Sequence, residues 1–383
     1  MKVRHGGRFA ALAAVVALAL AACGTGDGNG AADDSDGSDD SGVDYSAMMD
    51  AAREMVPATY EGPTTPAQAP SGIKIAAITC YSILEGCVIP AEGIEKAASA
   101  IGWEARTFDG GGTPNTQNAQ ILNAVSWGAD VIALIAITPS AVQSGLQAAK
   151  NAGALIVSGS SGLSSPNATI EPQPGEVWPE FDVSPDYKKL GEHLAQWVIA
   201  DSKGEANIAV YGDKEFDSIN AQESGIVPAL QACGGCTVSE VMYFTATQIA
   251  SSLGPQTVNY VRTNPDVDYI YSAFDPPAAA QVTALQTAGL GNQVKIVSVL
   301  GNAQNLQFIR DGQVQAADAA YDNTYMGFAI VDQSIRLLNN QPLIEPLGEG
   351  LPFRVLDETN LPDGDTSWTA PYEYESKFIA LWK

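Results

Sequence analysis

Val131-Ile132-Ala133-Leu134-Ile135-Ala136-Ile137 runs without a single polar side chain. A short, wholly apolar run of this kind reads as a strand covered on both faces, the condition of a parallel strand inside an α/β sheet. The chain around it agrees. Strand-like runs at 73–79, 103–108 and 154–157 alternate with helical patterns at 90–101, 116–127 and 141–151. Pro114-Asn115 opens the second of these helices and Gly153 closes the third, the expected punctuation at helix ends. The alternation then restarts, with helices at 187–200, 220–232, 257–263 and 277–288 and strands at 206–211, 238–244, 269–272 and 294–299. Repeated strand–helix–strand units predict two similar, doubly wound (Rossmann-like) α/β lobes, with the crossover near 181–185.

The N-terminus sets the compartment. Lys2, Arg4 and Arg8 precede an apolar run, 9–20, with the charged, apolar, small-residue order of a secretory signal. The run is short for a membrane span. It ends in Leu20-Ala21-Ala22-Cys23, which resembles the lipobox of bacterial lipoproteins. That resemblance implies removal of 1–22, lipidation of Cys23, and a protein tethered to the cell membrane on its extracytoplasmic side. Residues 24–42 are Gly, Asp and Ser with no large apolar side chain, the composition of a flexible stalk. A short helix at 44–56 and an extended Pro-rich stretch at 57–71 are expected to continue it, so that 23–72 spaces the folded part from the membrane. No second long apolar stretch follows.

The whole chain carries 19 Lys and Arg against 44 Asp and Glu, and without the leader 16 against 44. So acidic a protein repels nucleic acid and anionic lipid surfaces, which argues against both as partners. Beside Cys23 there are two close cysteine pairs, Cys80 with Cys87 and Cys233 with Cys236. In an exported chain, two local disulfides are the default reading. Cys233-Gly234-Gly235-Cys236 also looks like a redox motif, but it follows a helix and precedes a strand. A reactive pair belongs at a helix N-terminus, where the dipole lowers a thiol pKa.

Several stretches, taken in order, resemble the type I periplasmic binding proteins, in particular their ribose- and sugar-binding-like branch. They are Phe108-Asp109 with Gln117 and Gln120, Gly128-Ala129-Asp130-Val131-Ile132, and Thr138-Pro139. Lys203-Gly204-Glu205-Ala206-Asn207, Asn264-Pro265-Asp266-Val267-Asp268 leading into Phe274-Asp275, and the segment from Ile309 to Ala316 follow. The match spans about 73–356. It implies two lobes joined by a multi-strand hinge, 73–183 with 302–350 and 184–301 with 351–383, the latter including an aromatic C-terminal extension. It also implies a monomer that closes on a small-molecule ligand and delivers it to an ABC-transporter permease. No cofactor or metal is implied.

In α/β sheets ligands meet the loops at the C-terminal ends of strands. Set against the sugar-binding pattern, those loops depart from it. Gln222 stands where an arginine is usual before Gly225, Ser158-Gly159-Ser160 where a polar pair is usual, and Phe274 where an asparagine precedes Asp275. Leu300 replaces a sugar-contacting aspartate beside Asn302, and Tyr321 a glutamine. With Phe244, the aromatics imply a flatter or less polar ligand than a free sugar. The other reading is that loop register differs and that Glu85, Asp109, Asp213, Asn302 and Gln304 take over the missing contacts. The expected ligand-binding set is therefore Glu85, Asp109, Ser160, Asp213, Gln222, Phe244, Phe274, Asp275, Asn302 and Tyr321, with Asp275 favoured as a helix cap.

An enzyme is not expected. Past the leader only His193 remains, inside a helical pattern, and Gly159-Ser160-Ser161-Gly162 lacks nucleophile-elbow spacing. The alternatives are a ligand-sensing lipoprotein serving a membrane receptor and, behind it, a secreted hydrolase.

Overall fold

The computed structural model describes residues 42–163 and 170–383. The expected signal sequence, Cys23 and most of the expected 24–42 stalk lie outside the described residues. Two sheets form the framework. The first contains β1 (Lys74–Thr79), β2 (Glu104–Asp109), β3 (Val131–Ile135), β4 (Leu155–Gly159) and β5 (Asp182–Val183), in the order β2-β1-β3-β4-β5 and all parallel. The apolar run at 131–135 becomes the central β3, buried at every position. Burying both faces of a strand is what such a sequence stabilises.

The second sheet contains β6 (Asn207–Gly212), β7 (Thr237–Tyr243), β8 (Tyr269–Ser272), β9 (Lys295–Leu300), β10 (Gln315–Tyr321) and β11 (Phe353–Asp357). Its order is β11-β10-β9-β8-β6-β7, parallel except for the antiparallel β10–β11 pair. The helices in chain order are α1 (Tyr45–Ala52), α2 (Glu85–Ala100), α3 (Pro114–Trp127), α4 (Gln143–Asn151), α5 (Tyr187–Asp201), α6 (Asp217–Ala232) and the one-turn α7 (Ala246–Gln248). Then come α8 (Gly254–Thr263), α9 (Asp275–Thr287), α10 (Ala303–Arg310), α11 (Asn323–Leu338) and α12 (Tyr374–Leu381). Local chemistry sets their ends. Thr113 caps α3 ahead of Pro114 and left-handed Gly128 stops it, while the Asp186 carboxylate accepts from Lys189 N at 3.0 Å to start α5.

Each lobe is closed by a pair of helices whose backbones touch. In the first, Gly93 of α2 meets Gly327 of α11, and a Cβ on Gly327 would stand 2.5–2.6 Å from Gly93 backbone atoms. In the second, Gly191 of α5 faces the Gln222 carbonyl of α6, and Gly225 of α6 faces the Lys188 carbonyl of α5. These crossings bring α2 and α6, whose N-terminal turns reach the cleft, to fixed positions.

The lobe boundaries differ from the sequence expectation at three places. β10 pairs with β9 in the second sheet, so the return to the first lobe comes after Tyr321, where α11 packs on α2, and not at residue 302. Residues 44–72 are docked along the fold and do not act as a spacer. α1 lies on α5, Arg53 pairs with Asp357 at 2.6 Å, and Val56 bridges to Phe353, all on the second lobe. The Pro-rich stretch then runs onto the first lobe, where Ala67 and Ala69 donate to the Leu381 and Trp382 carbonyls at 2.9 Å and Arg336 donates to Thr65 O at 2.9 Å. A stretch without hydrophobic period looks loose in sequence, yet its non-proline N–H groups and its carbonyls can still pair with the fold.

The C-terminal aromatics are the third difference. Trp368 donates its backbone N–H to Gly301 O at 2.8 Å and packs on the second sheet's edge with Leu306, Ile309 and Leu356. α12, however, covers α11 of the first lobe: Trp382 stacks on Phe328 at 5.9 Å and Tyr374 meets Tyr325 at 4.9 Å. The aromatic extension therefore leaves the second lobe and fills a core on the first. No described helix is long and apolar enough to cross a membrane.

Candidate functional site

The C-terminal ends of both sheets face one another, and a cavity of about 50 Å³ lies between them. From the first lobe come Leu84, Gly86 and Cys87 at the start of α2, Ala136 after β3 and Ser160 after β4. From the second come Phe216, Ser218, Ile219 and Gln222 around the start of α6, Phe274 and Pro276 at the start of α9, Leu300 at the end of β9, and Tyr321 at the end of β10. The lobes touch across it. Thr138 Oγ1 donates to Asp217 Oδ2 at 2.9 Å, and the Leu300 side chain lies against Gly86.

Backbone strain concentrates here. Six non-glycine residues with described structure have positive φ, and three of them, Ala136 (51°), Ser160 (57°) and Leu300 (133°), line this one cavity. Each such residue costs on the order of 1–3 kcal/mol and persists where its surroundings over-determine it, a pattern that gathers at ligand sites. For Leu300 the bracing is visible. Asp318 accepts from Gly301 N at 2.9 Å, Asp275 accepts from Asn302 N at 2.6 Å, and Ser298 Oγ donates to Asp275 at 2.6 Å. Burial, and after it the neighbouring Asp318 charge, raise the Asp275 carboxyl well above the ordinary range, and burial raises Asp318 too while its hydrogen bonds to Asp275, Ser298 and Gly301 N pull it back.

Polar groups in the wall are few. Ser160 and Tyr321 join Tyr187 in a hydroxyl cluster, with Ser160 Oγ 3.0 Å from Tyr187 Oη and 3.4 Å from Tyr321 Oη. Gln222 accepts from Tyr271 Oη at 3.0 Å through its Oε1, which leaves its amide NH₂ as the donor toward the cavity. Pro90 has no N–H, so the first turn of α2 lacks one helical i+4 bond, the one to the Gly86 carbonyl. Phe216 and Phe274 meet edge to face at 6.0 Å and form the aromatic wall.

Of the residues expected from sequence, the structure thus brings together Ser160, Gln222, Phe274 and Tyr321. Phe244 packs behind Phe274, ring centres 6.0 Å apart, and shapes the wall from outside. Glu85 lies between two lining residues but is itself exposed. Asp109 serves its own loop, accepting from Ser82 Oγ at 2.6 Å and Gly111 N at 2.9 Å, and these bonds hold its carboxyl below the usual range. Asp275 does not cap α9, because Phe274 holds the N-cap position; its carboxylate braces the 300–302 loop instead. Asn302 gives its backbone N–H to that brace. Asp213 is buried outside the cavity wall, accepting from Glu215 N at 2.8 Å.

Leu84, Gly86, Phe216 and Leu300 fall within the strand-end loops that the α/β rule singles out. Ala136, Ser218, Ile219 and Pro276 lie just beyond them, and nothing in the sequence marks them. Both expected disulfides are formed. Cys80–Cys87 ties the end of β1 to the start of α2, and Cys87 is itself part of the wall. No group of His, Cys, Asp or Glu suited to a metal ion occurs among the described residues.

Burial raises several carboxyls, Asp213 to about 7 and Asp322 to about 6, with Asp217 and Glu223 moved the same way. Between about pH 4 and 7 the folded protein therefore binds more protons than the unfolded chain, and stability falls as pH rises. The thermal midpoint is expected to be higher at pH 5 than at pH 8. Asp213→Asn, which keeps the acceptor for Glu215 N, should flatten that slope. A midpoint that rises steadily with pH would contradict these shifts.

Two α/β lobes thus meet over a strained, two-sided cavity at the strand ends. A periplasmic binding protein domain matches residues 87–342, and the chain belongs to that family. No curated protein matches it significantly. Among solved structures, an ABC transporter solute-binding protein from Mycobacterium smegmatis with bound glycerol is similar at 19% identity and TM-score 0.67, covering 78% of this chain and 100% of that one. One from Agrobacterium vitis bound to α-D-tagatopyranose gives 19% identity and TM-score 0.66, covering 76% and 97%. The 5-methylthioribose-binding protein from Thermotoga lettingae gives 16% and 0.65, covering 77% and 89%. At these identities the likeness is one of fold.

Proposed function

We propose that this protein is an extracytoplasmic receptor, anchored through a lipidated Cys23, that captures a small organic solute between its lobes and delivers it to an ABC importer. The observation that carries the reading is the cavity walled by both lobes, in which Ala136, Ser160 and Leu300 are all held at positive φ. Neither lobe alone makes the site, so a solute that touches both favours the closed arrangement over an open one. Thr138–Asp217 adds a contact that exists only when the lobes meet. Family membership and the small molecules in the similar structures support a binding role over catalysis. The test is a thermal-shift screen of the purified protein against sugars, polyols, carboxylates, nucleosides and neutral cyclic compounds. A true solute at 100 times its dissociation constant adds about 2.7 kcal/mol. Absence of any shift across all classes would contradict the reading.

A further inference from the structure

We infer that the solute is a compact, uncharged molecule that is apolar over most of its surface and carries one or two hydroxyl or carbonyl oxygens. This rests on the solute-binding reading above and narrows it to a chemical class. Charge decides the first point. None of the thirteen lining residues is ionisable in the neutral range, so an ionic solute would be desolvated without a counter-charge.

Hydrogen-bonding capacity decides the second. Only Ser160, Ser218, Gln222 and Tyr321 bring polar side chains to the wall, and two of these already bond to each other and to Tyr187. The groups left open are the Gln222 amide NH₂ and the Ser218 hydroxyl. That set matches one or two oxygens. A pyranose has a hydroxyl on nearly every ring carbon, and each one buried without a partner costs about 1–3 kcal/mol. Against that shortage stand Leu84, Ile219, Phe274 and Leu300, which reward an apolar face at roughly 25 cal/mol per Å².

Size decides the third. A buried water needs roughly 10–15 Å³, so a cavity of about 50 Å³ has room for only a few waters and points to a compact solute.

The experiment compares dissociation constants of the purified protein, by calorimetric titration, for cyclohexanol, benzyl alcohol and p-cresol against D-ribose, D-glucose, allitol and benzoate. The neutral cyclic alcohols should bind at least tenfold more tightly than every sugar, polyol or benzoate. Leu300→Asp, which sets a charge in the apolar wall, should weaken the alcohols at least tenfold, and Phe274→Leu should weaken them less. The wild-type comparison stands even if Leu300→Asp fails to fold. Tighter binding of a sugar, polyol or benzoate overturns the ligand class and leaves the receptor reading in place. Binding of no probe from any class overturns both.

Discussion

Gly225→Val is expected to destabilise the protein by about 3 kcal/mol or more and to abolish solute binding in whatever folded fraction remains. A side chain at this position has nowhere to go. Its Cβ would overlap the Lys188 carbonyl oxygen, and the Glu192 amide nitrogen would lie only 3.0 Å away. Both obstacles are backbone of a buried helix and cannot rotate aside. The only relief is separation of α6 from α5. Because Gly191 rests on the Gln222 carbonyl, that movement carries Gln222 with it, along with Ile219, Ser218 and Phe216 on the same helical turns. Stability and binding should therefore fall together. Gly234→Ala provides the contrast, since an added Cβ there meets nothing within 4 Å. Urea unfolding of both variants measures the difference. A Gly225→Val protein as stable as the parent would mean that the two helices are not in backbone contact.

Trp382→Ala should cost about 3–5 kcal/mol, the range for removing a large buried aromatic. The indole is 2% exposed, stacks on Phe328, and donates Nε1 to Asp332 at 2.6 Å. Asp332 also takes the Arg336 guanidinium at 2.5 Å, and Arg336 in turn holds Thr65. Removing the indole leaves a cavity and an under-satisfied buried carboxylate, and it loosens the Ala67 and Ala69 strap that ends on Leu381 and Trp382. Trp382→Phe keeps most of the packing and loses only the N–H, so its cost should be well under half as large. Thermal unfolding of the pair reads both. Equal, small losses in the two variants would mean that α12 is not seated on the first lobe.

The lobes themselves were legible because burial leaves a pattern. A strand covered on both faces, such as 131–135, has few alternatives to an apolar run, and helices announce themselves through Pro114, Gly128 or Gly153. The straps did not show. Residues 57–72 have no period, and their partners, Arg336, Leu381 and Trp382, lie far away in sequence, so nothing local records the docking. At the site, Ser160, Gln222, Phe274 and Tyr321 were recoverable from strand-end position and family register. Asp275 misled because an acid before prolines at a helix start resembles a cap, whereas its real partner, Asp318, arrives two strands later. Ala136 carries no sign of its left-handed backbone, since that conformation is imposed by the surrounding sheet and loops. The same is true of Leu300, whose bracing comes from two buried carboxylates.

The central claim is that a small solute is enclosed by walls from both lobes. It is tested most directly by titrating the protein with its best-binding compound alongside Phe274→Ala and Leu84→Ala, one variant in each lobe, while following affinity and the X-ray scattering radius. The account predicts that the parent protein contracts on binding, that each variant weakens affinity at least tenfold, and that neither fully contracts. Tight binding with no change in radius, or affinity lost in only one lobe's variant, would contradict it.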